Sequence, residues 1–578
     1  MINIDEIRKK AETWLTDDFD EPTRREVQNL LDNDEKGLID AFYTDLEFGT
    51  GGLRGLMGAG TNRMNRYTLG MATQGLSNYL KKHAVNPLSI KVAIAYDSRN
   101  NSTFFARAAA DIFVANGFTV CLFESLRPTP VLSFAIRLHG CDAGVIITAS
   151  HNPKEYNGYK VSWSDGGQVV APHDKGIIEE VRKIKSVSEI ASGGDPERIV
   201  MLGEETDKKY MAEVRKLSIN PGIIKRNADM GIVYTPLHGT GYRMVPEALE
   251  MFGFTNVHSV REQSITDGNF PTLRSPNPEE PDALAMALDL AREKKADLVM
   301  ATDPDADRLG IAVRKPSGEF VLLNGNQTGA LLTWYIISQR KQKGELKGNE
   351  YIINTIVTSD LLDRIAEMNG VKNYSVLTGF KFFAALIRDL EGKEKYIGGG
   401  EESFGYLPGD YVRDKDGISS CALIAETAAW ARDHGKSLWE LLLDIYAEYG
   451  LYREKLVNVV RKGAEGAAEI QKIMEDFRAN PPSAIAGSKV MKTDDYLKLV
   501  STDAESGKQT PLHLPKSDVL QFFLADGTKI SVRPSGTEPK IKFYFSARAR
   551  LADTAHFDAA WRALEERIDS IIKDLKLA

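Results

Sequence analysis

The chain has 578 residues, which at roughly 150 residues per domain predicts about four domains and excludes a single small module. Hydrophobic residues make up 42% and charged residues 27%, so a collagen, a coiled coil or a wholly disordered chain is excluded as a description of the whole. The formal net charge is −8, which requires no basic face, and we expect no nucleic acid partner.

Several sequence features predict a cytoplasmic protein that has no membrane segment. The first ten residues carry charges where a signal peptide has an apolar run. The longest apolar runs, such as residues 331–337, are too short to span a bilayer. Cys121, Cys141 and Cys421 lie far apart and lack zinc-ligand spacing, which favours free thiols in a reducing compartment.

In chain order, the N-terminal segment is predicted to be helical, first up to Leu15 and then over 22–43. Buried strands follow and alternate with helices, which predicts βαβ units and a largely parallel sheet. The strands of this first module are expected at 91–96, 118–123 and 143–148, with a helix over 102–116. The same pattern recurs over 230–301 and over 351–398, so we predict three similar α/β modules.

The last part of the chain has a different pattern. Short strands are expected at 519–524, 529–532 and 542–545. The first two flank Asp526 and Gly527, a pair that is typical of a hairpin turn. A helix is expected from about 554 to 575, and together these elements predict a smaller α+β domain.

Residues 148–153 read Thr-Ala-Ser-His-Asn-Pro and come directly after a predicted buried strand. This is the carboxyl edge at which open α/β sheets bind ligands. Ser150 is therefore a candidate nucleophile or phosphoryl carrier. A polar turn that ends in Asn-Pro is the alternative.

A second polar stretch, Asp-Pro-Asp-Ala-Asp-Arg, begins at Asp303 and also follows a predicted strand. Carboxylates on alternate residues repel one another, and a divalent cation relieves that repulsion. Hard oxygen ligands suit magnesium, so Asp303, Asp305 and Asp307 are candidate Mg²⁺ ligands. An EF-hand is excluded, because Arg308 replaces the required glycine and Arg314 replaces the bidentate glutamate. The alternative is a solvated acidic turn.

Two further loops carry groups that suit a sugar phosphate. Residues 398–405, Gly-Gly-Gly-Glu-Glu-Ser-Phe-Gly, combine glycines that let the backbone approach a ligand with paired carboxylates that can hold vicinal hydroxyls. Residues 533–540, Arg-Pro-Ser-Gly-Thr-Glu-Pro-Lys, followed by Lys542, have the groups of a phosphate cradle. A surface loop and a type II turn are the respective alternatives.

These four stretches, in this order and at domain-scale spacing, resemble the α-D-phosphohexomutase superfamily, specifically its bacterial phosphoglucomutase/phosphomannomutase type. The likeness covers nearly the whole chain and includes five more motifs. They are Phe-Gly-Thr-Gly-Gly-Leu-Arg-Gly at 48–55, Tyr-Asp-Ser-Arg at 96–99, Arg-Pro-Thr-Pro at 127–130, Pro-Leu-His-Gly at 236–239 and Leu-Asn-Gly-Asn-Gln-Thr-Gly at 323–329.

The resemblance implies an α/β fold of four domains around a central active-site cleft. Three of these would be similar α/β domains, and the fourth would be a C-terminal α+β domain. Each domain would contribute one loop. The implied order is the phosphoserine loop in 1–212, the metal-binding loop in 213–328, the sugar-binding loop in 329–455 and the phosphate-binding loop in 456–578.

The resemblance also implies roles for individual residues. Ser150 would carry the phosphoryl group and, with Asp303, Asp305 and Asp307, hold Mg²⁺. The other catalytic candidates are Arg54, His151 and Lys160, of which Lys160 is the candidate general base. The substrate-binding candidates are Arg308, Lys381, Glu401, Ser403, Arg533, Ser535, Gly536 and Thr537.

The implied reaction interconverts glucose 1-phosphate and glucose 6-phosphate through a phosphoserine enzyme, with hexose 1,6-bisphosphate as intermediate and activator. Phosphomannomutase activity, dual specificity, phosphopentomutase activity and hexose-bisphosphate synthesis are the alternatives within the family. A phosphatase with an aspartate nucleophile and a non-catalytic sugar-phosphate sensor are alternatives outside it. We expect sugar phosphates as partners, and a monomer or weak homodimer.

Overall fold

The computed structural model describes residues 3–49, 51–461, 463–535 and 540–577, with the side chains of 463–465 and 467 left out. The chain forms two compact units. The first unit comprises Met1–Asn324, Phe380–Gly398 and Ser403–Asp433, and the second comprises Gly325–Gly379, Gly399–Glu402 and His434–Ala578.

The N-terminal segment of the first unit forms three helices. They are α1 (Ile4–Glu12), α2 (Glu21–Asn33) and α3 (Glu35–Phe42). The predicted single helix over 22–43 is therefore wrong, because one helix ends and the next begins at Asp34. The Asp34 side chain accepts a hydrogen bond from the Gly37 amide and caps α3. Trp14, Phe19 and Phe42 are buried together beneath these helices.

The first sheet has six strands in the order β1-β5-β4-β2-β3-β6. Its elements are β1 (Gly52–Leu56), α4 (Arg66–His83), β2 (Lys91–Tyr96), α5 (Ser102–Ala115), β3 (Thr119–Phe123), α6 (Thr129–His139), β4 (Ala143–Ile147), β5 (Tyr156–Trp163), α7 (His173–Lys183) and β6 (Ile199–Leu202). The three predicted strands, β2, β3 and β4, are confirmed and run parallel. The sheet is mixed, since β5 runs antiparallel to β4 and β1.

The second sheet of the first unit has five strands in the order β11-β10-β9-β7-β8. Its elements are α8 (Glu204–Arg215), α9 (Pro221–Arg226), β7 (Ile232–Thr235), α10 (Gly241–Phe252), β8 (Val257–Ser259), α11 (Ala285–Lys294), β9 (Leu298–Thr302), β10 (Leu309–Arg314) and β11 (Phe320–Leu323). Strand β7 is parallel to β8 and β9, and β10 returns antiparallel to β9.

The next stretch of the chain contributes segments alternately to the second and the first unit. It contains α12 (Gly325–Gln342), β12 (Glu350–Thr355), α13 (Asp360–Met368), β13 (Lys372–Val376), α14 (Phe380–Leu390), β14 (Lys395–Gly400), β15 (Tyr406–Leu407) and α15 (Gly417–Asp433). Within the second unit, β12 and β13 are parallel, as a third α/β module requires.

The C-terminal part of the second unit is an antiparallel sheet with helices. It contains α16 (Leu438–Tyr449), β16 (Leu451–Val460), α17 (Gly463–Ala479), β17 (Ala484–Ile485), β18 (Ser488–Asp495), β19 (Val500–Asp503), β20 (Gln509–Pro511), β21 (Leu520–Leu524), β22 (Lys529–Pro534), β23 (Lys540–Ala549) and α18 (Phe557–Asp574). The strand order is β16-β23-β22-β21-β18-β19-β20, and β17 pairs with β18. The predicted hairpin at Asp526 and Gly527 joins β21 to β22.

None of the described helices is both long enough and apolar enough to cross a bilayer.

Candidate active site

Ser150 lies in the loop between β4 and β5 and is buried. Its Oγ donates a hydrogen bond to Asp303 Oδ2 over 2.6 Å and lies 3.2 Å from His151 Nδ1. Its backbone has φ +52°, in the left-handed region that residues other than glycine rarely adopt. The loop that follows β4 therefore presents the serine hydroxyl directly to the loop that follows β9.

Asp303, Asp305 and Asp307 lie in the turn between β9 and β10 and are buried. One ligand atom from each lies within 4.8 Å of the others. Asp303 Oδ1 accepts hydrogen bonds from the Asp307 and Arg308 amides over 3.2 and 3.1 Å. The turn thus gathers the three carboxylates that the sequence predicted, and we call residues 303–308 the aspartate loop.

The charges of the aspartate loop are strongly coupled. Burial, followed by the Asp305 and Asp307 carboxylates, raises the pKa of Asp303 well above its ordinary value. Burial is the largest single influence on Asp305 and would raise its pKa, but the Lys160 ammonium, the Asp303 carboxyl and the Lys415 ammonium together outweigh burial and hold that pKa below its ordinary value. Three carboxylates this close need positive charge to remain ionised together.

The aspartate loop fits a divalent cation. Asp305 Oδ1 and Asp307 Oδ1 are buried and make no hydrogen bond within the described residues. Buried oxygens that lack hydrogen-bond partners are costly unless a ligand satisfies them. Carboxylate oxygens are hard ligands that suit Mg²⁺, so the donor set matches the predicted metal.

Two basic residues predicted for the site contact the aspartate loop. Lys160, on β5, places its Nζ 2.8 Å from Asp305 Oδ2 and 3.7 Å from Asp307 Oδ2. Arg308 donates from Nη1 to Glu279 over 2.6 Å, and its Nε lies 3.9 Å from Asp303 Oδ2. Both cations stabilise ionised aspartates in this part of the first unit.

Arg54 and His151 lie beside the serine loop. Arg54, on β1, donates from Nη1 to Asn152 Oδ1 over 3.2 Å. Burial, followed by the Arg308 and Arg54 charges, lowers the pKa of His151 well below its ordinary value. His151 is therefore neutral near pH 7 and can exchange a hydrogen bond with the Ser150 hydroxyl.

Several residues that hold these loops have no role predicted from the sequence. Arg99, in the Tyr-Asp-Ser-Arg motif, donates to the carbonyl of Ser150. Thr129, in the Arg-Pro-Thr-Pro motif, donates from Oγ1 to Asp305 Oδ2 over 3.0 Å. Lys415 lies 3.0 Å from Asp307 Oδ2 and lies outside all of the quoted motifs. For Arg99 and Thr129, their place in these two motifs is the feature of the sequence that could have indicated a role at the site.

Lys381 and Ser403 also belong to the first unit. Lys381 is the second residue of α14, and its Nζ lies 5.1 Å from the centre of the Phe382 ring. Ser403 lies between β14 and β15. Their predicted substrate-binding roles stay predictions.

The remaining sugar and phosphate candidates belong to the second unit. Glu401 is buried, and its Oε1 accepts a hydrogen bond from the Gly379 amide over 2.7 Å. Arg533 lies on β22 directly opposite Lys542 on β23. The Ser535 amide donates to the Lys540 carbonyl over 2.8 Å. Gly536 and Thr537 were also predicted here and lie outside the described residues.

The chain matches known protein-family models over most of its length. Residues 45–188, 208–318 and 324–449 match the phosphoglucomutase/phosphomannomutase alpha/beta/alpha domains I, II and III, and residues 456–562 match the C-terminal domain. The chain belongs to the phosphoglucomutase/phosphomannomutase family. The predicted α/β fold of four domains is confirmed, and the predicted boundaries at 212, 328 and 455 stay predictions.

Relatives in this family support an isomerase activity. The chain is 38% identical over 509 residues to a phosphoglucomutase of Staphylococcus haemolyticus, covering 87% of this chain and 91% of the relative. It is 37% identical over 545 residues to a phosphoglucomutase of Staphylococcus aureus, covering 94% and 96%. Given these relatives and the four family domains, the enzyme is a phosphohexomutase and therefore an isomerase.

Solved structures share the fold. The Paramecium exocytosis-sensitive phosphoprotein parafusin, a phosphoglucomutase, matches with a TM-score of 0.66 and 20% identity over 93% of this chain and 95% of that one. A phosphoglucomutase/phosphomannomutase family protein of Burkholderia thailandensis matches with a TM-score of 0.63 and 18% identity over 91% and 96%. At these identities the likeness establishes the fold alone.

Proposed function

We propose that this phosphohexomutase interconverts glucose 1-phosphate and glucose 6-phosphate by phosphoryl transfer through Ser150. The observation that carries the proposal is the 2.6 Å hydrogen bond from Ser150 Oγ to Asp303. It supports phosphoryl transfer because a phosphoryl group on this hydroxyl would lie beside a loop suited to a cation. Neutralising that charge is most of what phosphoryl transfer needs from a protein.

In the proposed cycle, phosphorylated Ser150 donates its phosphoryl group to O6 of glucose 1-phosphate. The Oγ–P bond breaks, the O6–P bond forms, and the O6 proton passes through the general base to Ser150 Oγ, which is left as a hydroxyl. The glucose 1,6-bisphosphate then reorients end for end, so that its O1 phosphoryl group faces Ser150. Transfer of that group to Ser150 restores the phosphoenzyme. The bisphosphate is thus the intermediate, and it also activates enzyme that has lost its phosphoryl group.

Lys160 is the proposed acceptor of the proton that the sugar hydroxyl releases. Its Nζ is paired with Asp305 at 2.8 Å. It must therefore be deprotonated before it can act as a base, which costs the Asp305 ion pair. Arg54 and His151 lie beside the serine loop and are proposed to contact the transferring phosphoryl oxygens.

The proposed metal ligands are Asp303, Asp305, Asp307 and the phosphoryl group on Ser150. A magnesium ion bound there would neutralise charge on the transferring phosphoryl group. The protein's own contribution is a buried loop of three carboxylates, two of which keep an oxygen that makes no hydrogen bond within the described residues. Mg²⁺ and hexose 1,6-bisphosphate are accordingly the proposed cofactors.

Substrate binding is proposed to divide between hydroxyls and the phosphate that does not transfer. Acidic and hydroxyl side chains suit sugar hydroxyls, and basic side chains suit phosphate. The proposed hydroxyl ligands are Glu401 and Ser403. The proposed phosphate ligands are Arg308, Lys381, Arg533, Ser535, Gly536 and Thr537.

Glucose is the proposed sugar, and mannose is its nearest competitor because the two differ at one hydroxyl. The test is a panel of kcat/KM values for the 1-phosphates of glucose, mannose, glucosamine and ribose. We expect glucose 1-phosphate to be the best substrate. A mannose preference would instead establish a phosphomannomutase, equal values a dual enzyme, and no turnover of any sugar would contradict mutase activity.

The place and assembly of the enzyme are also proposals. We infer a cytoplasmic enzyme because sugar phosphates are charged metabolites that do not cross a bilayer. A monomer or weak homodimer is the expected state, which light scattering at several protein concentrations would check.

A further inference from the structure

One segment after the Gly-Glu-Glu-Ser-Phe-Gly motif packs along the aspartate loop. It comprises residues 404–417 of the first unit. The Leu309 amide donates to the Phe404 carbonyl over 2.9 Å, and the Gly417 amide donates to the Ala306 carbonyl over 3.1 Å. Between these two anchors the segment delivers the ammonium of Lys415 to Asp307.

Lys415 is held on several sides. It is only 8% exposed, and its Nζ lies 3.1 Å from Asp414 Oδ1. Asp414 Oδ2 in turn accepts a hydrogen bond from Gln168 Nε2 over 2.9 Å. The alkyl stem packs against Gly405, where a Cβ would lie 2.1 Å from the Lys415 Cδ. The ammonium is therefore fixed in place rather than mobile in solvent.

The two lysines at the aspartate loop bind equivalent oxygens. Lys160 contacts Asp305 Oδ2 at 2.8 Å, and Lys415 contacts Asp307 Oδ2 at 3.0 Å. The Oδ1 atom of each aspartate is buried and makes no hydrogen bond within the described residues. Occupation of one carboxylate oxygen by an ammonium fixes the rotation of the carboxylate and leaves the other oxygen for a different partner.

We propose that Lys415 is a positioning residue for the metal site, which holds Asp307 Oδ2 so that Oδ1 is available to a divalent cation. The inference rests on the proposed function, because it assumes that the aspartate loop binds the cation. Beyond that function, the orientation of the metal ligand Asp307 would depend on Lys415, a side chain 108 positions further along the chain. Groups that orient metal ligands in this way commonly change metal affinity by 10- to 100-fold when removed.

The alternative role for Lys415 predicts the opposite sign. An ammonium beside a carboxylate repels a second cation, so a lysine that acted by repulsion alone, with the aspartates ionised in either case, would weaken metal binding. Its removal would then tighten the binding of a divalent metal. A positioning lysine, by contrast, raises affinity by orienting Asp307, and its removal weakens binding despite the added negative charge.

The test measures the Mn²⁺ dissociation constant of the full-length dephosphorylated enzyme by electron paramagnetic resonance. We expect Lys415→Met to weaken Mn²⁺ binding about tenfold or more. Asp414→Asn keeps the lysine charge but withdraws its anchor, and we expect a smaller loss in the same direction. Lys208→Met removes a charge from an exposed lysine and is the control, with no expected change.

Unchanged or tighter Mn²⁺ binding by folded Lys415→Met overturns the inference. If that variant does not fold, as judged by its melting curve, Asp414→Asn decides in its place: weaker binding supports the inference and unchanged binding overturns it. Asp305→Asn, measured in parallel, keeps the two proposals apart. If the wild-type enzyme binds Mn²⁺ and Asp305→Asn does not, the proposed metal site is supported, whatever the result for the Lys415 variant.

Discussion

Arg99 Nη2 donates a hydrogen bond to the carbonyl oxygen of Ser150 over 2.6 Å. The same guanidinium also donates to the carbonyls of Asn152, Pro153 and Tyr156. These contacts hold the serine loop in a conformation in which Ser150 has φ +52°. A buried cation that binds carbonyls rather than substrate thus shapes the loop on which the proposed chemistry depends.

Replacing Arg99 should destabilise the fold and slow phosphorylation of the serine. The Arg99 Nε lies 3.3 Å from Asp97 Oδ2, and neither side chain is exposed. Arg99→Met would leave a buried carboxylate without its partner, and we expect a loss of about 3–5 kcal/mol of stability. Denaturant titration measures the loss. Arg99→Lys keeps the charge without the planar fork and should be intermediate; equal stability of all three proteins would contradict this account.

Ser150→Ala should lower mutase kcat by at least about 10³-fold while the protein stays folded, because the proposed phosphoryl carrier is gone. Intact mass should show one phosphoryl group on active wild-type enzyme and none on the variant. Fragmentation should localise that group to Ser150. A phosphoryl group found on Asp303 would instead support the phosphatase alternative, and full activity of the variant would remove Ser150 from the mechanism.

Asp305→Asn should weaken metal binding and lower kcat together. Asp305 Oδ2 also accepts from Lys160 and Thr129, so the amide keeps the shape of the site but loses its charge. Chelation should abolish wild-type turnover and added Mg²⁺ should restore it. Turnover that persists at full rate after exhaustive chelation would show that the reaction needs no metal.

The local parts of the site could be predicted from the sequence, because each is a polar stretch directly after a buried strand. Ser150 and the aspartate loop follow this pattern. Arg99 and Thr129 were not assigned roles, since their partners lie 51 and 176 positions away and only the folded chain brings them together. The break at Asp34 was missed for a different reason: helical spacing continues through it, and one capping side chain decides where the helix ends.

Stability should depend on pH through Glu402. Burial, followed by the Glu401 carboxylate, raises the pKa of Glu402 to about 7, above the ordinary value of 4.5. The folded state therefore retains a proton that the unfolded state releases. Its stabilising contribution is complete below about pH 4.5 and is lost as the pH rises through about 7.

Glu402→Gln stays neutral at every pH and should remove this dependence. Relative to wild type, we expect its melting temperature to rise between pH 5 and pH 8, by an amount corresponding to about 1–3 kcal/mol. Glu475→Gln, which changes an exposed glutamate of α17, is the control and should show a flat difference. A flat difference for Glu402→Gln as well would mean that the Glu402 carboxyl ionises normally.

Arg533 and Glu401, both in the second unit, should contribute differently to substrate binding. Arg533 lies directly opposite Lys542 on neighbouring strands, and two neighbouring positive charges suit a phosphate group. Arg533→Ala should therefore cost about 1.5–3 kcal/mol of phosphate binding, raising KM for glucose 1-phosphate and lowering kcat if that binding energy is used in the transition state.

Glu401→Gln should instead change the ratio of kcat/KM for glucose 1-phosphate to that for mannose 1-phosphate, because a carboxylate that binds sugar hydroxyls distinguishes the two sugars. Phosphorylation of Ser150 should survive in the Arg533 variant. If Arg533→Ala changes the sugar ratio while Glu401→Gln leaves it constant, the two roles are reversed and both loop assignments are wrong.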